Sequence, residues 1–221
     1  MRTRQPVHVL YGGAQLFKAG TCARLGELAR KPPAQYAPDA RTLAEALGLP
    51  EATSETVYAR VVEKLAREPV EDFRIDFEDG FGVRPDAEED AAAAAAGRAS
   101  AEALSDGGLP AFFGIRIKPL SEDFGGRGLR ILRLFIEALG GKVPSNFLVT
   151  LPKVTHAGQV GALAKALAPH DKRGIADRIV CEDRPDAELT NGLSSRHTSP
   201  LRICCGGRGA PVCRGACPAA D

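Results

Sequence analysis

Phe73, Ile75 and Phe77 alternate with Arg74, Asp76 and Glu78. A period of two is the mark of a strand with one face in a core. The run closes on Glu78-Asp79-Gly80 and Gly82 follows, so the strand delivers two neighbouring carboxylates to its C-terminal end and then turns. Four other runs have strand character. They are Val7 to Tyr11, ended by Gly12-Gly13; Ala111 to Ile117; Phe147 to Leu151; and a fifth beginning at Arg178-Ile179-Val180-Cys181.

Between these runs the period lengthens to that of a helix. Leu16, Phe17, Leu25 and Leu28 predict a helix over Ala14–Arg30, stopped by Lys31-Pro32-Pro33. Asp39 caps a short helix that runs through Leu47 and closes at Gly48, and Ser54 opens a longer one to about Arg67. Asp86–Leu104 is alanine-rich, with acids in its first turn and Arg98 toward its far end, the order the helix dipole favours. Leu129, Ile131, Leu132, Phe135 and Ile136 form a broad apolar face before Gly140-Gly141, and Thr155 caps a helix through Leu167.

Strands and helices thus alternate at roughly 30–40 residue spacing, which predicts an α/β fold of parallel strands covered by helices. A doubly wound sheet and a (β/α)8 TIM-type barrel both satisfy the pattern. Charge falls at the C-terminal strand ends: Glu78 and Asp79 on the second, Arg116 on the third, Lys153 on the fourth. Barrel enzymes place their catalytic groups there, and the coincidence favours the barrel.

Composition adds little that is directional. The 221 residues are 44% hydrophobic and 26% charged with a net charge of +1, so nothing global draws the chain to nucleic acid or an anionic membrane. No apolar run approaches the ~20 residues of a membrane span, and no secretory leader is evident. The chain is expected to be cytoplasmic, with its cysteines reduced. Beyond Asp183 the periodicity fails, and 184–221 is expected to be an irregular tail rich in Gly, Arg and Cys. Its Cys204, Cys205, Cys213 and Cys217 match paired zinc knuckles poorly, and Arg202, Arg208 and Arg214 have no interleaved aromatics for stacking bases.

The candidate chemistry lies at the strand ends. Adjacent carboxylates such as Glu78 and Asp79 can orient an arginine, hold a metal-bound water or accept a proton, although a solvated turn carries such pairs too. Arg116 sits between Ile115 and Ile117 and needs a carboxylate, either from an anionic ligand or from the protein, with Glu78 in reach. Lys153 follows Pro152 and can project into the same mouth. His8, His156 and the Gly12-Gly13 turn are weaker candidates.

Three of these segments together resemble one family. Ile75-Asp76-Phe77-Glu78-Asp79-Gly80, Gly114-Ile115-Arg116-Ile117-Lys118-Pro119 and Leu151-Pro152-Lys153-Val154 resemble, in order and spacing, the D-L-E-D, R-x-N-P and L-P-K-V strands of the HpcH/HpaI aldolase and citrate lyase β-subunit family. The likeness spans about residues 6–180, nearest a branch often labelled "phosphoenolpyruvate kinase", although no kinase signature is present. It implies a (β/α)8 barrel of the phosphoenolpyruvate/pyruvate-binding superfamily that makes or breaks C–C bonds beside a carbonyl of a 2-oxo acid. It also implies Mg²⁺ to stabilise the enolate, Arg116 to polarise the oxygen, Glu78 and Asp79 to support Arg116 and metal-bound water, and Lys153 to help bind the small carboxylate. Lys118 stands where the family has Asn. Glu182, in Ile179-Val180-Cys181-Glu182-Asp183, is a loose counterpart of one metal ligand, and the second has none.

The loss of pattern predicts a barrel of which only the N-terminal half to two-thirds, residues 1–183, is present, with the reading frame displaced near residues 170–185. A partial barrel leaves edges and apolar faces open, which predicts self-association or a homo-oligomer. Two alternatives to the lyase stand: a catalytically inactive fragment, and a zinc or nucleic-acid interaction protein acting through the tail.

Overall fold

The computed structural model describes residues 4–168, 179–183 and 202–204. Five parallel strands lie side by side in chain order: β1 (Leu10–Gly13), β2 (Asp72–Asp76), β3 (Phe112–Arg116), β4 (Phe147–Val154) and β5 (Ile179–Asp183). Six helices connect and cover them: α1 (Thr21–Tyr36), α2 (Ala40–Leu47), α3 (Glu51–Arg67), α4 (Asp86–Ser105), α5 (Gly125–Ala138) and α6 (Ala157–Leu167). The expected α/β architecture is present. The order of these strands never reverses, whereas a doubly wound sheet turns back at a switch point, so the doubly wound alternative does not describe them. No helix among the described residues is long and apolar enough to cross a membrane.

Register builds the core. Phe73 pairs with Phe113 and Phe113 with Phe147; Ile75 pairs with Ile115, Ile115 with Val149, and Val149 with Ile179. These rows stack on one face of the sheet, where Ala93 and Ala96 of α4, Ile131 and Phe135 of α5 and Leu163 of α6 join them in one buried cluster. The alanines of α4 serve close packing as well as helix propensity. A Cβ added to Gly97 would lie 2.6 Å from the Phe135 carbonyl oxygen, so α4 meets α5 almost backbone to backbone.

The alternate residues of β2 are equally buried but polar. Arg74 donates to both carboxylate oxygens of Asp72, at 2.7 and 2.6 Å, and to the Thr150 hydroxyl at 3.2 Å on β4. Gly114 is the register partner of Arg74 on the intervening strand and offers no side chain to block that reach. An added Cβ there would also come within 1.9 Å of the Leu148 carbonyl oxygen.

Several boundaries differ from the sequence reading. The predicted Ala14–Arg30 helix is a short 3-10 turn at Ala14–Leu16, a loop carrying Phe17 into the core, and then α1, which continues through Pro32 and Pro33. Each proline removes one amide donor but keeps its carbonyl, and the Pro33 oxygen accepts the Ala37 N–H at 2.9 Å. Ser54 is not the cap of α3: the helix starts at Glu51 after Pro50, and the buried Ser54 hydroxyl donates to the Glu51 carbonyl. His156, not Thr155, precedes α6, because the Gln159 side-chain oxygen accepts the N–H groups of both. The first strand lies at Leu10–Gly13 rather than Val7–Tyr11. The tail, with Cys205, Cys213 and Cys217, lies outside the described residues except for β6 (Arg202–Cys204), a strand the sequence reading did not draw. It pairs antiparallel with β5, and three residues are too few to show a period.

The opposite end of the sheet carries a second charge cluster. The Glu71 carboxylate accepts the Val7 N–H and is paired with Arg4 and Lys64. Burial, its largest single influence, pushes its pKa up, but Lys64, the Val7 N–H and Arg4 together outweigh it and bring the value from 4.5 down to about 2. A depressed carboxylate contributes stability above its unfolded pKa and loses it as pH falls through the folded one. Unfolding free energy should therefore fall between pH 4.5 and about 2. This group's share should be about 1–2 kcal/mol, since half-exposed Arg4 and part-exposed Lys64 are screened. Urea titrations of Glu71→Gln should show a flatter pH profile in that window; a wild-type profile would assign the effect elsewhere.

Candidate functional site

In a parallel sheet all C-terminal ends lie on one edge, and the predicted charges meet there. Asp76 is the organising group. Opposite Arg116 in register, it takes a bidentate pair from that guanidinium, Nε to Oδ1 at 2.9 Å and Nη2 to Oδ2 at 2.6 Å. Its oxygens also accept the backbone N–H groups of Glu78 and Gly80, each at 2.8 Å. Burial works to raise its pKa, but these donors hold it below the ordinary carboxylate range. The sequence reading offered Glu78 as the protein partner of Arg116. Glu78 stands 3.6 Å away, and the true partner was legible only once the β2–β3 register was known.

β2 ends at Asp76, and the chain then turns through Glu78–Gly82, with the Phe81 and Gly82 N–H groups donating to the Glu78 carbonyl. Strand alternation runs on through Phe77, buried with Phe73 and Ile75, and lapses in the turn that follows, so Asp79 shares the mouth with Glu78. Lys153 bridges the two: its ammonium is paired with Glu78 and lies 3.2 Å from Asp79. Glu78 first, and Asp79 after it, hold the Lys153 pKa above its usual value despite the opposing effect of burial. Burial pushes the Asp79 carboxyl up, but its polar surroundings, with Lys153 3.2 Å away and Arg116 near, leave it shifted down. Lys153 has φ of 53°, the left-handed region that costs a non-glycine residue about 1 kcal/mol or more. It lies where the β4–β5 register shifts, between Leu151 and Val154, and that irregularity accompanies the turn of its side chain toward Glu78.

The Arg116 guanidinium also covers the Tyr11 ring, 4.6 Å from its centroid, so β1 contributes to the same edge. Gly13, at the end of β1, faces the turn: an added Cβ would lie 2.3 Å from the Gly80 carbonyl oxygen. Glu182 lies on β5, whose last residue pairs with Val154, so its backbone is at this sheet end too. His8 is at the opposite end, beside Glu71.

From Glu78, Asp79 and Lys153 a pocket of about 780 Å³ opens between the segments that follow β3 and β4, walled by Val83, Leu120 and Phe124 with Thr155 and His156. Its size suits a small organic ligand. Among the described residues no group of three or more His, Cys, Asp and Glu is placed to hold a metal ion. Mg²⁺, however, is often held by only one or two carboxylates with water and substrate. Glu78 and Asp79 are such donors, and the buried Glu78 Oε2 has no hydrogen-bond donor of its own, so the pair fits a hard divalent cation.

Among curated proteins and among solved structures, nothing matches the chain. The family model of a domain of unknown function, DUF6986, matches residues 1–180, and the chain belongs to that family.

Proposed function

We propose that this chain is a carbon–carbon lyase of the aldolase/citrate lyase β type, acting on a 2-oxo acid or related small carboxylate through an enolate. The observation that carries the reading is the meeting of Arg116, Glu78, Asp79 and Lys153 at the C-terminal edge of parallel strands. Five strands in unbroken chain order support a barrel-type wall, whose ligands bind at that edge. Arg116, clamped in one plane by Asp76, presents fixed positive charge to the oxygen on which enolate charge develops, and preorganisation of this kind is a strong source of rate enhancement. Lys153 keeps the carboxylate pair in place and draws the substrate's carboxylate to the mouth.

Two cations face three carboxylates here, Asp76, Glu78 and Asp79, leaving a formal charge of −1. An anionic substrate therefore enters more readily with a counter-cation, and Glu78 and Asp79 are the residues that would hold it. When bound, Mg²⁺ supplies further positive charge to the developing enolate oxygen. The same mutual neutralisation of Arg116 and Lys153 favours the second reading, a non-catalytic relative whose ion pairs are structural.

Calorimetry on the full chain separates the two. Pyruvate and oxaloacetate should bind, more tightly with Mg²⁺ than with EDTA, and Arg116→Lys should weaken binding by about 10–100-fold, since an ammonium cannot reproduce the fork that Asp76 and the ligand share. Absence of binding in both conditions overturns the lyase and leaves the non-catalytic reading.

A further inference from the structure

Lys118 departs from the motif this chain resembles, and its placement is unusual for a lysine. It is 3% exposed and lies two residues past β3. Its ammonium donates to the Gly82 carbonyl at 2.7 Å and lies 3.1 Å from Oε1 of Glu89, itself fully buried on α4. Arg127 of α5 donates to the other Glu89 oxygen at 3.0 Å. The α5 backbone comes close at the same point: a Cβ on Gly128 would sit 2.7 Å from the Lys118 carbonyl oxygen.

Gly82 ends the turn that carries Glu78 and Asp79, and its own N–H donates to the Glu78 carbonyl at 2.7 Å. The turn is thus gripped twice. Asp76 holds the N–H groups of Glu78 and Gly80 at its start, and Lys118 holds the carbonyl of Gly82 at its end. We infer that Lys118 is a positioning residue that fixes the carboxylate-bearing turn against α4 and α5, and so sets where Glu78 and Asp79 stand at the mouth of the pocket. The inference needs the proposed function only for its consequence on ligand affinity.

Amide hydrogen exchange on the ligand-free full chain tests it. Lys118→Met removes both the Gly82 bond and the Glu89 pair, whereas Glu89→Gln removes the ion pair and leaves Lys118 its bond to Gly82. Exchange at Phe81 and Gly82 should rise about tenfold in Lys118→Met, the loss of roughly one charged hydrogen bond, and stay within about threefold of wild type in Glu89→Gln. If Lys118→Met does not fold because buried Glu89 keeps only its arginine partners on α5, Lys118→Met/Glu89→Gln removes that carboxylate charge too and should show the same tenfold rise. Equal exchange in the lysine and glutamate variants would overturn the inference and leave Lys118 as one partner of a structural ion pair. If wild type binds pyruvate, Lys118→Met should also weaken it by about tenfold. A wild type that binds no pyruvate removes the lyase reading and leaves the exchange result to decide the role of Lys118.

Discussion

Asp76→Ala should lower the unfolding free energy by about 3–5 kcal/mol, read from urea denaturation, and should abolish any carboxylate binding. The magnitude follows from how many groups depend on this one carboxylate. Arg116 loses a bidentate partner while its side chain is only 15% exposed, and the Glu78 and Gly80 amides lose their acceptor. Glu78, 3.6 Å from the guanidinium, is too far to replace a two-point clamp. Asp76→Asn is the informative companion. It keeps the shape and one acceptor but removes the charge, so it should cost about half as much and still weaken binding strongly. An Asp76→Ala protein with wild-type stability would mean that the pair is a surface contact and that the edge is not preorganised.

Asp72→Ala should cost a similar 3–5 kcal/mol for a different reason. Asp72 and Arg74 are both buried, and nothing but Thr150 accompanies them in the hydrogen bonds described above. Removal of the carboxylate strands a guanidinium in the interior. Asp72→Leu/Arg74→Met, which removes both charges at similar volume, should recover most of the loss, because the stability of a buried pair comes largely from avoiding a lone charge. Additive losses in that double variant would show instead that the pair contributes favourably on its own. The site edge should be untouched by the double change, so carboxylate binding, if present in wild type, should persist and separate this pair from the Asp76–Arg116 pair two residues on.

Much of this was written locally. The alternation of Phe73, Ile75 and Phe77, the helical stripes between strands, and the charges closing three strands are consequences of side-chain period. Period depends only on neighbours in the chain. They were enough to predict parallel α/β layers and to bring Arg116, Glu78, Asp79 and Lys153 to one edge. Boundaries were less legible. Ser54 and Thr155 have cap chemistry, but a buried hydroxyl bond and the reach of Gln159 decided otherwise. Pro32 and Pro33 signal a stop, yet α1 tolerates the loss of two donors.

What the tertiary structure alone decided is who pairs with whom. Asp76 is the counterion of Arg116 because β2 and β3 are parallel and in one particular register. Asp79 joins Glu78 because β2 ends two residues before the acid pair and the chain turns. Lys118 becomes a clamp because α4 brings a buried Glu89 to it. The pattern of a chain sets which residues are apolar, charged or turning. Which charge meets which depends on contacts between residues far apart in sequence, and those exist only when strands register and helices pack.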